Sequence, residues 1–409
     1  MVKAISPFVV SNSTESRRRF GVDPVVILVI GFIAAFGAGK LPPVLPQVQV
    51  ELQITLVQAG ILVTSFQLAG ALVGMIAGAL ADRFGARNLM VLGLMLLAAG
   101  SLLGWYSQNA HVLLVSRAVE SIGFVLASLP APALLRATVA PQNLSRWLGL
   151  WGTYMPTGFA LALIISPWLA DSSGWRAAWL LHAVVAALAI GLLLTFVTDP
   201  AAVQRKSVKG PALATLVMQT LRNDGPWLCA AVFAFYAGAY LSIVAFLPTI
   251  YQQAGLLPAM TGWLTALVAA INITGNISAG QLIHRGISAP YLIIAAAIYL
   301  LAGAWVAYAA QLSFLWTYLA ILSVSAVMGL IPGSLFYLVN RYAPSPSTVS
   351  TSVGLMQQGS AVGQLIMPVV VAALATGSNG WQNTWWVIAL CTLVIVTVAV
   401  KMIHKETRL

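Results

Sequence analysis

Three charges set in apolar sequence, Lys40, Arg117 and Glu120, are the residues best able to do chemistry in this chain. A charged side chain within a membrane span costs at least about 2.5–3.5 kcal/mol on insertion scales, so it faces a cavity or a partner. Lys40 ends an apolar run that begins near Pro24, and at 1.5 Å per residue it lies roughly 24 Å along that helix. The plainer reading is a lysine that snorkels to the headgroups. Gly37, Gly39, Pro42, Pro43 and Pro46 argue instead for a bent, closely approached helix that holds a site. Arg117 lies about 8 Å inside the end of its own helix by the same rise, near the level of Lys40. Glu120 follows three residues later on the same face. Alone, Arg117 and Glu120 are a pair that neutralises itself. With Lys40 added, the trio carries one net positive charge when Glu120 is ionised and two when it is protonated. Such a site suits an anion, with Glu120 as the carrier of a coupled proton.

The elements that must position these groups are membrane helices. Hydrophobic residues make up 60% of the chain and charged residues 7%, against about a quarter charged in soluble domains. The mean hydropathy is +0.92. A span needs roughly 20 apolar residues, and the pattern predicts twelve: 24–48, 55–80, 87–107, 111–137, 147–170, 177–198, 226–251, 259–283, 289–310, 313–340, 349–375 and 383–403. Arg17, Arg18 and Arg19 precede the first run, which is too long and too proline-rich for a cleaved signal and reads as a retained span. Cys229 and Cys391 both lie in apolar runs, and no metal-ligand or disulfide spacing can be built from them. The net charge of +11 does not indicate nucleic acid, because the basic residues are spread between spans.

That spread orients the chain. With both termini in the cytoplasm, 17 of the 20 Lys and Arg residues fall on the inner side, leaving Lys40, Arg117 and Arg176. Positive charge is retained inside during insertion. The expected organisation is a cytoplasmic segment 1–23, a six-helix bundle 24–198, a cytoplasmic linker 199–225, a second bundle 226–403 and a tail 404–409. The bundles are repeats of each other. Leu45-Pro46 recurs as Leu247-Pro248, Gly78-x-Leu80 as Gly280-x-Leu282, Arg136 and Pro141 as Arg341 and Pro346, and Ser172-Ser173-Gly174-Trp175 as Ser378-Asn379-Gly380-Trp381. Parallel repeats imply a twofold axis along the membrane normal and a site near mid-membrane between the halves.

Between spans 2 and 3 stands Gly78-Ala79-Leu80-Ala81-Asp82-Arg83-Phe84-Gly85-Ala86-Arg87, a tight turn with an acid and two arginines that could latch helices in one state and release them in another. It resembles the loop signature G-x-L-A-D-R-x-G-x-R of the major facilitator superfamily. The second-half copy, Gly280-Gln281-Leu282-Ile283-His284-Arg285, has His284 in place of the acid. The stretch Arg117-Ala118-Val119-Glu120-Ser121-Ile122-Gly123 is similar to that family's span-4 signature, with Ser121 replacing a glycine and Glu120 a neutral polar residue. The resemblance covers nearly the whole chain. Spans 1 and 5 are most similar to the cyanate-type and related organic-anion permeases. The family's antiporter signature is not cleanly present in Gly152-Thr153-Tyr154-Met155-Pro156-Thr157-Gly158, and the glycine-rich signatures of nitrate porters are missing.

The resemblance implies an all-α transporter whose spans 1, 4, 7 and 10 line a central cavity. Lys40 and Arg117 would then bind substrate with Tyr154, Tyr236, Tyr240, Asn272 and Gln357, while Gly78, Asp82, Arg83, Gly85, Arg87 and Arg136 would form the cytoplasmic gate. Asn276 and Gln358 read as further polar contacts, and His182 as structural. Gly70, Gly74 and Gly78 recur every four residues, a spacing for close helix packing. Trp105, Trp147, Trp168, Trp175 and Trp381 fall near span ends, where they would anchor at the interface. The function expected is secondary transport of a small organic or inorganic anion by a monomer in a bacterial inner membrane, coupled to protons as import, with no cofactor, metal or nucleic-acid partner. A drug or metabolite exporter is the rival within transport. A receptor on the same fold is the rival outside it, and a membrane enzyme is disfavoured because no nucleophile or acid–base constellation is present.

Overall fold

Apolar runs make helices here, and proline marks some of the places where they break. The computed structural model describes residues 22–54, 56–198, 212–253, 258–308, 310, 312–375 and 385–406. The basic stretch Arg17–Arg19, the first part of the linker (199–211) and the repeat element Ser378–Trp381 lie outside the described residues. Among those described there is no strand.

The helices are α1 (Asp23–Gly39), α2 (Leu45–Leu52), α3 (Leu56–Phe84), α4 (Ala86–Trp105), α5 (Ala110–Ser128), α6 (Ala131–Thr138), α7 (Leu144–Gly152), α8 (Tyr154–Ser173) and α9 (Arg176–Phe196). They continue as α10 (Leu213–Leu221), α11 (Asp224–Gln253), α12 (Pro258–His284), α13 (Ala289–Tyr308), α14 (Phe314–Met328), α15 (Leu330–Tyr342), α16 (Val349–Ala375) and α17 (Trp385–Glu406). Among the described residues, eleven stretches are long and apolar enough to cross a membrane. Beside them α16 has 27 residues, with Gln357, Gln358, Ser360 and Gln364 along its middle.

Four of the expected continuous spans are interrupted. The first stops at Gly39, passes through a 3-10 turn at Pro42–Val44 and resumes as α2. Pro42 and Pro43 have no N–H to continue the ladder, so Lys40 becomes the C-cap of α1, its own N–H still bonded to the Phe36 carbonyl at 3.1 Å. The fourth span breaks near Pro130, the fifth at Thr153 and the tenth at Gly329. These breaks were not expected from hydropathy, which does not see a missing hydrogen bond.

The repeat has local structural counterparts. Pro141 opens a 3-10 turn that leads into α7, and Pro346 opens another that leads into α16. Gly78 and Gly280 occupy matching crossings. A Cβ on Gly78 would lie 2.1 Å from the Ser350 carbonyl oxygen, and one on Gly280 would lie 2.7 Å from that of Ser145. Gly74 meets the Gly354 carbonyl in the same way, and Gly70 faces Ala361. The four-residue glycine spacing is therefore the seat of α3 on α16, as expected of small-residue packing. Elsewhere α1 packs on α8 and α9, α4 on α5, α11 on α16, and α7 on α12 and α15.

Large apolar side chains such as Leu72, Trp168, Leu188, Trp263 and Leu393 are exposed along these helices, far more than water tolerates. Trp175 does not follow the interfacial expectation. It is buried, donates to Glu51 Oε2 at 2.7 Å and packs edge-on against Trp179. Arg176 beside it also pairs with Glu51.

Candidate functional site

The break after α1 delivers Lys40 to the place where α4, α5 and α9 converge. Its ammonium donates to Glu120 Oε1 at 2.5 Å, Ser101 Oγ at 3.0 Å and His182 Nδ1 at 3.0 Å. An ammonium has three donors, and all three are engaged. Arg117 donates through one Nη to Glu120 Oε2 at 2.7 Å and to the Gly37 carbonyl at 2.8 Å. Ser101 Oγ lies 2.6 Å from Glu120 Oε1 and donates to it. His182 Nε2 is 3.0 Å from the Ile33 carbonyl. That oxygen can only accept, so Nε2 carries the proton and Nδ1 presents a lone pair to Lys40. All five side chains are buried to within 1% of complete.

The resulting charge count is two cations and one carboxylate around a neutral imidazole. Among the described residues no acceptor meets the buried Arg117 Nε, leaving a charged donor unmatched inside the cluster. Gly37 makes the close approach possible, since a Cβ there would stand 2.8 Å from His182 Cε1. Lys40 also lies 4.7 Å from the Trp179 ring and Arg117 Cζ 4.6 Å from Phe66. The expectation that Lys40 faces an open cavity is thus not met in this conformation: it is fully buried and saturated. The Arg117–Glu120 pair and the addition of Lys40 to it are as the spacing suggested. Sequence reasoning missed Ser101 and gave His182 only a structural part. A serine in an apolar helix carries no signal of its own, and the histidine's position in a fully apolar span was the available one.

The other expected residues form two further groups. Gln357 Nε2 donates to Tyr154 Oη at 2.8 Å, joining α8 to α16. Tyr240 Oη lies 3.3 Å from Ser325 Oγ, and Asn272 Nδ2 donates to the Ser325 carbonyl at 2.9 Å. Asn276 donates back to Asn272, and Gln358 donates to the Ala71 carbonyl. Among the described residues no hydrogen bond or ion pair links the Lys40 cluster to the Tyr240 group. Rings do link them. Phe66 contacts Phe124 at 5.1 Å between centroids, Phe124 contacts Tyr154 at 6.3 Å, and Tyr154 contacts Phe336 at 6.3 Å. Phe233 lies 6.1 Å beyond, then Tyr236 at 5.9 Å and Tyr240 at another 5.9 Å. This buried aromatic series runs from the guanidinium of Arg117 to Tyr240.

At the end of α3, Asp82 accepts from the backbone N–H groups of Ser350 at 2.9 Å and Thr351 at 2.6 Å, and from Thr351 Oγ1 at 2.7 Å. Its partners are these donors at the start of α16 and not Arg83 or Arg87. Arg83 lies over Phe84, and Arg87 donates to the Leu194 carbonyl at 2.6 Å. Gly85 has φ 101°, a backbone that favours glycine, and so turns the chain between α3 and α4. Arg136 donates to the Asn340 carbonyl at 2.5 Å. Asp82 and Arg136 therefore each bind a segment far along the chain, 268 and 204 positions away. Gly78→Ala should force α3 off α16, because the nearest obstacle is backbone. A cysteine at Ser350, which is 1% exposed here, should then react several-fold faster with a polar thiol reagent. An unchanged rate would show that this seam does not open.

Residues 27–357 match the profile of the Major Facilitator Superfamily. The chain is 25% identical over 278 residues to the methylenomycin A resistance protein of Bacillus subtilis, covering 66% of this chain and 58% of that one. It is 25% identical over 356 residues to a putative niacin/nicotinamide transporter, NiaP, of the same organism, covering 82% and 85%. The chain thus spans under two thirds of the first relative and most of the second. Among solved structures it resembles the proton:xylose symporter XylE bound to 6-bromo-6-deoxy-D-glucose, with a TM-score of 0.75, 16% identity, and 95% and 96% of the two chains covered. That likeness speaks for the fold.

Proposed function

Because this chain belongs to the Major Facilitator Superfamily, a family of multi-pass membrane transporters and not of enzymes, we propose that it moves a small anion by alternating access, as proton-coupled import. The observation that carries this reading is the buried cluster of two cations, one carboxylate and an unmatched guanidinium nitrogen. With Glu120 ionised the cluster holds one net positive charge. A proton on Glu120 raises that to two and removes the acceptor that occupies Lys40 and Arg117. An anion arriving with the proton returns the sum to one. Proton and anion thus load together because either alone changes the charge of a desolvated site, which is costly. Phe66 stands 4.6 Å from Arg117 Cζ, and in this reading it moves aside for substrate, with Tyr154, Gln357, Tyr236, Tyr240 and Asn272 along the onward path. Niacin, one of the two compounds in the NiaP relative's name beside the neutral nicotinamide, is an aromatic carboxylic acid, which supports an organic carboxylate.

The architecture proposed with it is twelve spans in two pseudo-symmetric bundles, 24–198 and 226–403, joined by the linker 199–225. The matched turns at Pro141 and Pro346 support the repeat. The charge asymmetry supports cytoplasmic ends, 1–23 and 404–409; a monomer in a bacterial inner membrane is proposed with it. The Asp82 side is then the cytoplasmic one, and these contacts close it. Gly78, Asp82, Arg83, Gly85, Arg87 and Arg136 form its inner gate.

A second reading, proton-driven export, is favoured by the methylenomycin A resistance relative. Proteoliposomes separate the two. A thermal-shift screen of small carboxylates and inorganic anions selects the probe. An inward proton gradient should drive uptake of that probe, and its efflux under the same gradient would replace import with export.

A further inference from the structure

The repeat is broken at one latch, and the break leaves a charged cavity. On one side Asp82 of α3 meets Ser350 and Thr351 at the start of α16. The matching crossing brings the end of α12 onto Ser145 and Arg146 of α7, with Gly280 as the counterpart of Gly78. Here His284 stands where Asp82 stands in the first copy, and Arg146 where Thr351 stands in the second. Among the described residues no carboxylate is recorded at this junction. In its place is a cavity of about 270 Å³ lined by Arg146, Leu150, Ile277, Gln281 and Arg285. Arg146, Gln281 and Arg285 are exposed, and among the described residues neither arginine has a carboxylate within ion-pair distance. Two like charges facing one cleft, one from each repeat, oppose its closure unless an anion sits between them.

We infer that this cavity binds the phosphate of an anionic phospholipid headgroup, which replaces the missing carboxylate and holds α7 against α12. Paired guanidinium groups match phosphate oxygens by forked, charge-assisted hydrogen bonds. The cavity lies at the end of two spans, Pro141–Ser173 and Trp263–His284, which is the depth of headgroups and not of the hydrocarbon. Leu150 and Ile277 give the glycerol end an apolar wall. The inner leaflet is the anionic one, and it draws basic groups near its surface. The headgroup is therefore a structural ligand of the closed state, and separation of the two repeats on this side pulls its arginines apart. This consequence rests on the alternating-access reading, whereas the binding rests only on the proposed orientation.

The test uses the full chain in detergent with three probes: short-chain phosphatidylglycerol, short-chain phosphatidylcholine and inorganic phosphate. Phosphatidylglycerol should raise the melting midpoint and persist in native mass spectra, and phosphatidylcholine should do neither. Arg146→Gln and Arg285→Gln, both at exposed positions, should each weaken the phosphatidylglycerol effect by about tenfold, the order of one charge-assisted contact. His284→Asp, which restores the acid of the other latch, should remove the dependence on lipid while keeping the melting midpoint high. Equal retention of phosphatidylglycerol by the doubly substituted protein would overturn the site. A full shift with inorganic phosphate alone would overturn the lipid as its source. Lipid dependence undiminished in His284→Asp would overturn the proposal that the headgroup replaces a carboxylate. Because these readouts are of binding, their failure leaves the transport reading standing, and failure of uptake leaves the lipid site standing.

Discussion

Glu120→Gln is expected to abolish pH-driven accumulation completely while leaving exchange of substrate across the membrane intact. Glutamine copies the shape of a protonated glutamic acid, the state the proposed cycle depends on, and its amide keeps a polar group against Lys40 and Arg117, so it should destabilise the fold less than Glu120→Ala. The substituted cluster then holds Lys40 and Arg117 against a permanently neutral partner. Anion affinity loses its pH dependence, because the proton that accompanies the anion has no place to bind. In the wild type, binding should tighten as pH falls, with the logarithm of Kd changing by about one unit per pH unit where one proton is taken up with each anion. In Glu120→Gln the same plot should be flat. Counterflow in proteoliposomes provides the control for folding. Normal accumulation under an inward proton gradient would reject Glu120 as the carrier, and loss of both activities with a normal melting midpoint would assign it to substrate binding instead.

Lys40→Met should remove anion binding with much less loss of stability than removal of its acidic partner. The Arg117–Glu120 pair at 2.7 Å survives the change, so the cluster becomes a neutral pair and not an orphaned charge. The expected cost is about 1–2 kcal/mol, from Ser101 and His182 losing a buried donor. Glu120→Ala, by contrast, leaves two buried cations without an anion and should cost about 3–5 kcal/mol, the scale for breaking a buried ion pair. Melting midpoints in detergent, with and without the anion chosen by the screen, give both quantities. The anion should stabilise the wild type and fail to stabilise Lys40→Met. An unchanged anion-induced shift would rule out a binding role for Lys40 and leave it a packing residue held by Glu120, Ser101 and His182.

Hydropathy, the placement of 17 of 20 basic residues and the near-constant offset between repeats were all legible in the sequence, because each depends on local composition or on identity at a distance along the chain. So were the pairing of Arg117 with Glu120, which helical spacing imposes, and the seat of Gly70, Gly74 and Gly78. The loop signature around Asp82 marked a latch, but its partners did not follow from it. The nearby arginines were the obvious candidates, whereas the donors are the backbone amides of Ser350 and Thr351, 268 and 269 positions away. A backbone donor has no residue type and leaves no trace in sequence.

The same limit governs the charge cluster. Composition and spacing determined that Lys40, Arg117 and Glu120 lie in apolar helices and need partners, since unpaired charge is not tolerated there. Only the tertiary structure decided which partners they have. The break at Pro42 turns Lys40 inward, and helix packing brings Ser101 and His182 from α4 and α9 within 3.0 Å of it. That choice converts an expected open site into a closed, fully buried network, and the proposed function asks it to open. The physical reason is that hydrogen bonding inside a membrane is obligatory but indifferent to sequence distance. The sequence states the demand, and the packing of helices settles who meets it.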